Sequence, residues 1–313
     1  MRAIQITEFG GPEVLNLIEM ADPVAGENEI LLEISAIGVN YADTHQTENS
    51  YLSAQSLPLI PGVEIVGSND GKRYLALAIS GGYAERAAVH KGMAFPIPEG
   101  VSDEDALALL VQGTTAWHLL KTMSHLRAGE SVVIHAAAGG VGTLAIQLAK
   151  LWGAHVIAVT SSEEKSALAL SLGADAVVDA KSENLSDALK AANGGKRVDI
   201  ILEMVGGNTF DESVKALAHF GRLITFGMAS RTAPTPIHPG ALMHGSKTIA
   251  GFWLNNCFGK PHLFNAVLEE LFALILQGDL KPVIGGVYPL DQAGDAHRAM
   301  LARGTVGKIV LKP

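Results

Sequence analysis

Cysteine is almost missing: Cys257 stands alone among 313 residues. No disulfide can form within the chain, and a zinc site built from two to four thiolates is excluded. A basic stripe is missing as well. Lys and Arg number 23 against 32 Asp and Glu, a formal charge of −9, and the cations are scattered singly. That leaves no track for a phosphate backbone, so nucleic acid is not an expected partner. No apolar run qualifies as a membrane span either. Ser131 to Ala149 carries no charged residue and approaches the about 20 residues a span needs, yet its glycine cluster and central His135 mark a buried strand, turn and helix. The first residues, Met1 to Ile6, run into an alternating strand pattern without the apolar core or cleavage site of a secretion signal. The expected compartment is the reducing cytoplasm.

What the sequence does hold is apolar residues (48%) and 34 glycines, a balance that suits α/β architecture with tight strand-to-helix turns and argues against disorder. The length points to two domains. The first third reads as short strands, Ala3–Ile6, Leu15–Ile18, Ile30–Ile37, Glu64–Gly67, Tyr74–Ala78 and Tyr83–Val89, with short helices at Asn40–Glu48 and after Ser102. From about Gln112 the rhythm changes to apolar strands alternating with amphipathic helices. Ser131–His135, His155–Thr160, Ala176–Val178, Val198–Leu202, Arg222–Phe226 and Thr248–Phe252 supply six strands for a parallel sheet covered on both faces. The tail, Gly286–Tyr288, Asp291–Arg303 and Gly307–Leu311, cannot bury a core alone and should return to the N-terminal β domain. Residues 1–112 with 261–313 therefore form one expected domain, and residues 113–260 the other.

The chemistry starts where the first strand of the second domain meets its helix. Ala137, Gly139 and Gly142 give the spacing A-x-G-x-x-G. Ala138, Gly139, Gly140, Val141 and Gly142 would place backbone N–H groups and a helix N-terminus against a pyrophosphate, with Gly142 letting the helix pack closely on the strand. The alternative is a glycine turn without function. The second strand ends in Thr160-Ser161-Ser162, where an NAD site usually carries a carboxylate for the ribose 2′-hydroxyl. Hydroxyls there, with Lys165, would accept a 2′-phosphate and favour NADPH. Glu163 and Glu164 beside them also fit an acidic helix start with Lys165 solvated.

Several short motifs together resemble the zinc-independent branch of the medium-chain dehydrogenase/reductase superfamily, in particular quinone oxidoreductases of the zeta-crystallin type. They are Gly38-Val39-Asn40-Tyr41-Ala42-Asp43, Ile60-Pro61-Gly62-Val63-Glu64, Gly81-Gly82-Tyr83-Ala84-Glu85, Gln112-Gly113-Thr114-Thr115-Ala116, the glycine turn, Gly173-Ala174-Asp175 and Gly307-Lys308-Ile309-Val310-Leu311. The resemblance runs through nearly the whole chain. It implies a GroES-like, mostly antiparallel β domain and a doubly wound Rossmann domain with a six-stranded parallel sheet. Zinc-containing relatives carry a cysteine ligand in the first motif and a histidine ligand in the second, where this chain has Asn40 and Val63; the cysteine-rich lobe between Gly67 and Gly81 is missing too. Amide and valine cannot replace thiolate and imidazole at zinc. Asp43, His45 and Glu64 lack metal-binding spacing and are expected in structural or solvated roles.

Without a Lewis acid for an alkoxide, alcohol oxidation becomes unattractive. A quinone or an α,β-unsaturated carbonyl instead accepts hydride and spreads the developing charge onto an oxygen that hydrogen-bond donors can stabilise. The resemblance implies that these donors come from Asn40 to Tyr51. Tyr51 is the preferred proton donor or oxygen-binding group, with a loop tyrosine packed on Leu52 or Leu57 as the alternative. Asn40 would bond the substrate oxygen or the nicotinamide ribose. His45 stands where some relatives have a second tyrosine, and either protonates product or only lines the pocket. Thr115, Val205, Phe226, Phe252, Trp253 and Leu254 are expected along the cofactor, although Thr115 also suits a helix cap and the aromatics also suit core or subunit contacts. Lys308 would reach the cofactor from the tail or serve structure alone. An enoyl-thioester reductase and a non-catalytic NADPH-binding protein of crystallin type are the other readings. By analogy the protein should be a homodimer joined at edge strands near Thr248–Trp253.

Overall fold

A computed structural model describes residues 1–50, 52–78 and 80–313. The chain divides into two compact units, Met1–Val111 with Leu268–Pro313, and Gln112–Val267. In the first, β1 (Arg2–Gln5) and β2 (Asn16–Glu19) pair as an antiparallel ribbon. β3 (Glu29–Val39) is the spine of a larger sheet that also takes β4 (Glu64–Asn69), β5 (Lys72–Leu77), β6 (Arg86–His90) and β7 (Ala94–Pro96). β3 pairs with β6 along Glu29–Glu33 and with β4 on its other side, where the register shifts between Ile34 and Ala36. Between β3 and β4 runs the short helix Tyr41–Thr47, entered through Asn40. Ser102 caps the helix Asp103–Ala108 by accepting from the Asp105 N–H at 3.0 Å, as its acidic first turn predicts.

The second unit holds β8 (Ser131–Ile134), β9 (His155–Thr160), β10 (Ala176–Asp179), β11 (Val198–Glu203), β12 (Leu217–Thr225) and β13 (Thr248–Gly251). All six are parallel, in the order β10-β9-β8-β11-β12-β13. Chain order thus runs third, second, first, fourth, fifth, sixth across the sheet, the doubly wound arrangement, and its switch point lies between β8 and β11. Val132, Val133, Ile157 and Ile201 are fully buried, which is why these strands read as continuous apolar runs rather than alternating ones. β12 begins at Leu217 instead of the expected Arg222. Leu217 pairs with Val198, the chain bulges out through Phe220 at φ +60°, and pairing resumes at Arg222; the exposed His219-Phe220 segment hides the strand in the sequence. A helix at Pro239–Gly245 is also not legible beforehand, since no apolar period marks it.

After the helix Asn265–Gln277, which stops at Gly278 as predicted, the chain forms β14 (Ile284–Pro289), the helix Ala293–Leu301 and β15 (Lys308–Lys312). β14 and β15 are parallel, and β15 pairs antiparallel with Ile37–Val39 of β3. The sheet of the first unit is therefore a mixed, GroES-like one. Its core gathers Leu32, Ile37, Val39, Ile65, Tyr83 and Ile309. Among the described residues no helix is long and apolar enough to cross a membrane.

Candidate active site

At the switch point, β8 gives way to the glycine turn. Ala136 takes a left-handed φ of +49°, and the helix Gly140–Leu151 starts from an extended Gly139 with no side chain capping it. The first N–H groups of such a helix have no intrahelical acceptor, so this end presents donors and a partial positive charge to an anion. Gly142 is needed for close packing: a Cβ there would lie 2.6 Å from the carbonyl oxygens of both Ala136 and Ala137. Ala138 is buried, while Gly139, Gly140 and Val141 remain partly accessible. Behind the turn, His135 is buried with Nε2 2.9 Å from Ser213 Oγ, and burial lowers its pKa to about 4.

β9 ends at Thr160, whose hydroxyl meets Ser166 Oγ at 2.7 Å. The two residues that follow the strand are serines, and the first carboxylates are those of Glu163 and Glu164 in the next helix. Ser162 is exposed and caps the helix Glu163–Ser171, accepting from the Lys165 N–H at 3.3 Å. Its hydroxyl also holds the Glu164 carboxyl below the ordinary range. Ser161 and Ser162 follow the strand directly, and Lys165 stands in the first turn of the helix that Ser162 caps.

The ends of β11, β12 and β13 line the same edge of the sheet. Glu203 closes β11 fully buried, and its Oε1 accepts the N–H groups of Val205 at 2.7 Å and Gly206 at 3.0 Å. Oε2 has no hydrogen-bond partner among the described residues. Burial raises the Glu203 pKa against the pull of those two N–H groups. Loop bonds tie the edge together: Phe226 N–H donates to Glu203 O at 3.0 Å, Ser230 N–H to Val205 O at 2.9 Å, and Phe252 N–H to Thr225 O at 2.9 Å. Phe252 stacks on His118 with centroids 5.5 Å apart, and Leu254 is buried. Trp253 is half-buried, and Thr115 is buried within the helix Thr114–His118.

In the first unit the sequence motifs converge on a buried polar network. Lys308, 1% exposed, points Nζ at Glu64 Oε2 in a close ion pair and donates to Asn40 Oδ1 at 3.1 Å. Asn40 Nδ2 donates to Glu64 Oε2 at 3.0 Å, and the Val111 N–H to Glu64 Oε1 at 2.7 Å. Asn40, expected to touch ligand, and Lys308, expected to reach the cofactor or serve structure alone, are thus engaged with each other and with Glu64. Beside them Asp43 Oδ2 accepts from the Asn40 N–H and from the Tyr83 hydroxyl, each at 2.9 Å, and Tyr83 Oη lies 2.9 Å from His297 Nε2. His297 Nδ1 is buried without a hydrogen-bond partner among the described residues. A proton on that atom would be an unsatisfied donor, so Nε2 carries it and donates to Tyr83. Burial pushes Asp43 up to about 6, opposed by the Asn40 N–H, the Tyr83 hydroxyl and the Lys308 charge. Burial likewise lowers His297 to about 4 and, helped by Asp43, raises Tyr83 well above the usual phenol range.

His45 is buried on the same helix, with Nδ1 2.9 Å from Ser50 Oγ and its ring edge-on to Tyr41 at 5.6 Å. Tyr51 lies outside the described residues. Sequence reasoning missed the Glu64–Lys308 pair, the Asp43–Tyr83–His297 chain and the Glu203 turn. A lone lysine opening an apolar tail strand and a glutamate opening β4 were the available signals for the first.

The model of zinc-binding dehydrogenases matches residues 140–273, and that of the alcohol dehydrogenase GroES-like domain matches residues 26–70. Quinone oxidoreductase of Mus musculus is 34% identical over 327 residues, covering 99% of this chain and 97% of its own. The Thermus thermophilus quinone oxidoreductase, solved alone and with NADPH, is 40% identical with a TM-score of 0.89; the Escherichia coli quinone oxidoreductase, solved with NADPH, is 31% identical with a TM-score of 0.93. Both structures match over 100% of each chain. Among the described residues no three His, Cys, Asp or Glu side chains are grouped to hold a metal ion.

Proposed function

Because this chain belongs to the quinone oxidoreductase family of the medium-chain dehydrogenase/reductase superfamily, we propose that it uses NADPH to reduce quinones or α,β-unsaturated carbonyls, with no metal in the step. The observation that carries the nucleotide half is the uncapped helix start at Gly139 on the switch point of the parallel sheet. Ala138, Gly139, Gly140, Val141 and Gly142 fit a diphosphate there. Ser161, Ser162 and Lys165 take the 2′-phosphate at a strand whose last residue is Thr160 in place of the carboxylate an NAD site usually carries. Thr115, Val205, Phe226, Phe252, Trp253 and Leu254 serve the nicotinamide half. When bound, NADPH supplies a hydride.

Toward the acceptor, Tyr51 holds the carbonyl or quinone oxygen as charge develops on it. Asn40 and Lys308 act by positioning: their polar atoms are committed to Glu64 and to each other, which fixes the start of the helix that carries His45. The protein works in the cytoplasm as a homodimer. β13, last in the strand order and paired to β12, offers the edge for a second copy.

The test is NADPH oxidation by wild type and Tyr51→Phe over quinones, enones and enoyl thioesters, with NADH in parallel. We expect turnover with quinones and enones, preference for NADPH, and a rate lowered about tenfold or more in the variant. An unchanged rate in Tyr51→Phe removes that hydroxyl from the chemistry. Calorimetry detecting no binding of either reduced or oxidised nucleotide overturns the whole reading, and turnover confined to enoyl thioesters moves it to that class.

A further inference from the structure

We propose that Glu203 works as an uncharged carboxylic acid, a positioning residue that sets one turn of the nucleotide site without placing a negative charge there. The inference deepens the NADPH-dependent reading above and rests on it. Glu203 is the last residue of β11, one step past Leu202, whose partner in β8 is Ile134. It therefore stands at the switch point, where a dinucleotide crosses the sheet. Its side chain turns back on its own chain. Oε1 accepts the N–H groups of Val205 and Gly206 at 2.7 and 3.0 Å, and Oε2, buried as well, meets no donor among the described residues. Gly206, at φ +81°, then opens the helix Gly207–Ala216. The next loop locks the turn: the Ala229 and Ser230 N–H groups donate to the Met204 and Val205 carbonyls, each at 2.9 Å, and a Cβ at Gly206 would lie 2.9 Å from Met228 Cγ.

The placement of donors tells the two forms of the acid apart. A carboxylate carries its charge on both oxygens and, when buried, needs donors or a cation at each. A carboxylic acid has one carbonyl oxygen, whose two lone pairs take two N–H groups, and one hydroxyl. Glu203 matches the second pattern, with both donors on Oε1 and none on Oε2. Ionisable groups on the elements around it are engaged elsewhere: His135, beyond β8, with Ser213; Asp211 and Glu212, in the following helix, with Thr235 and Lys215; Arg222, on β12, with Glu130. Arg231, in the loop after β12, exerts no pull on it: burial raises the Glu203 pKa, and only the two N–H groups oppose that. A hydroxyl without an acceptor costs less in such a place than an anionic oxygen without a donor.

Neutrality matters at this edge because charge changes there. Hydride loss leaves the bound nicotinamide cationic, so a carboxylate at the end of β11 would favour the oxidised nucleotide and hold it after turnover. The acid offers the same acceptor to Val205 and Gly206 without that bias. Glutamine, of the same shape and with the same carbonyl, should serve equally well.

Glu203→Gln and Glu203→Leu test this by infrared spectroscopy and nucleotide binding. The spectrum of nucleotide-free wild type minus that of Glu203→Gln should carry the carbonyl band of a buried carboxylic acid at neutral pH, lost on titration to alkaline pH. We expect Glu203→Gln to keep wild-type Tm and NADPH affinity at neutral pH. Glu203→Leu, which leaves two N–H groups without their acceptor, should raise the Kd for NADPH about tenfold or more. In wild type the ratio of the Kd for NADP+ to that for NADPH should fall about threefold or more as the acid band disappears, while in Glu203→Gln it stays level over the same range. A carboxylate band at neutral pH in place of the acid band, or a ratio that follows the same course in both proteins, overturns the proposal and leaves the reductase reading standing. A wild type that binds neither nucleotide overturns that reading and the proposal with it.

Discussion

Replacing Lys308 by methionine is the sharpest test of the buried network. Glu64 is 0% exposed and Lys308 1%, and the ammonium is the cation paired with that carboxylate. Methionine fills much of the lysine stem's volume, so the change removes charge more than packing. Glu64 would keep the Asn40 Nδ2 and Val111 N–H donors at 3.0 and 2.7 Å, but two hydrogen bonds do not neutralise a carboxylate in a low-dielectric interior. Breaking a buried pair from one side costs about 3–5 kcal/mol, a large part of the about 5–15 kcal/mol that holds a domain together. For a unit of this size that corresponds to a fall in Tm on the order of 10 °C. Adding Glu64→Gln should return most of the loss, because a pair replaced from both sides is close to neutral, and the double-mutant cycle should show strong coupling. Thermal unfolding by circular dichroism reads both. A Lys308→Met protein as stable as wild type, or a double variant no better than the single one, would refute the claim that this ion pair is fixed and desolvated.

Two further outcomes follow from the second unit. His135 is held neutral, with a pKa of about 4 against an ordinary 6.5, so between those values the unfolded chain binds a proton that the fold refuses. Stability is then lost as pH falls from about 6.5 to 4, by about 3 kcal/mol in the limit. His297, lowered to about 4, slopes the same way, whereas Asp43, raised to about 6, slopes oppositely because the fold binds the extra proton there. These two largely offset each other, so His135→Asn should flatten the curve of urea midpoint against pH; an unchanged slope would show that His135 is not the titrating group. Gly142→Ala places a Cβ 2.6 Å from two carbonyl oxygens that cannot swing aside. It should cost about 1–3 kcal/mol and weaken NADPH binding about tenfold or more as the turn opens; calorimetry giving wild-type affinity would mean that the turn does not need this contact.

The second unit was the more legible one, and the reason is physical. Parallel strands buried on both faces leave unbroken apolar runs, and each is followed by a helix whose start is marked by Gly139, Ser162 or Asn184; the strand order then follows from the handedness of the crossovers. The segment that resisted, Leu217–Gly221, is a bulge whose exposed Phe220 contradicts any strand period. In the first unit the strands were visible but their partners were not, since β3 pairs with β4, β6 and β15 at separations no local pattern encodes. The same distance hid the polar network: Asn40 and Lys308 lie 268 residues apart, and Tyr83 and His297 lie 214 apart. Sequence reasoning picked Asn40 and Lys308 as notable residues, aimed Asn40 at ligand and left Lys308 between cofactor and structure, because a polar side chain in a motif looks the same whether it faces a substrate or a buried partner.

That ambiguity resolves once the motifs are read as parts of one object. A Cβ at Gly38 would lie 2.4 Å from Glu64 Oε2 and 2.7 Å from Lys308 Nζ, and a Cβ at Gly62 would lie 2.2 Å from the Tyr83 ring. Each glycine therefore belongs to the side chain it makes room for: Gly38 in the first motif to Glu64 in the second and Lys308 in the last, and Gly62 in the second motif to Tyr83 in the third. The positions where zinc-bearing relatives place cysteine and histidine carry Asn40 and Val63, and the amide at the first of them bridges a lysine and a glutamate. Three strands and a helix start are tied by that bridge, so the region that would otherwise be ordered by a metal is ordered here by an ion pair and its hydrogen bonds.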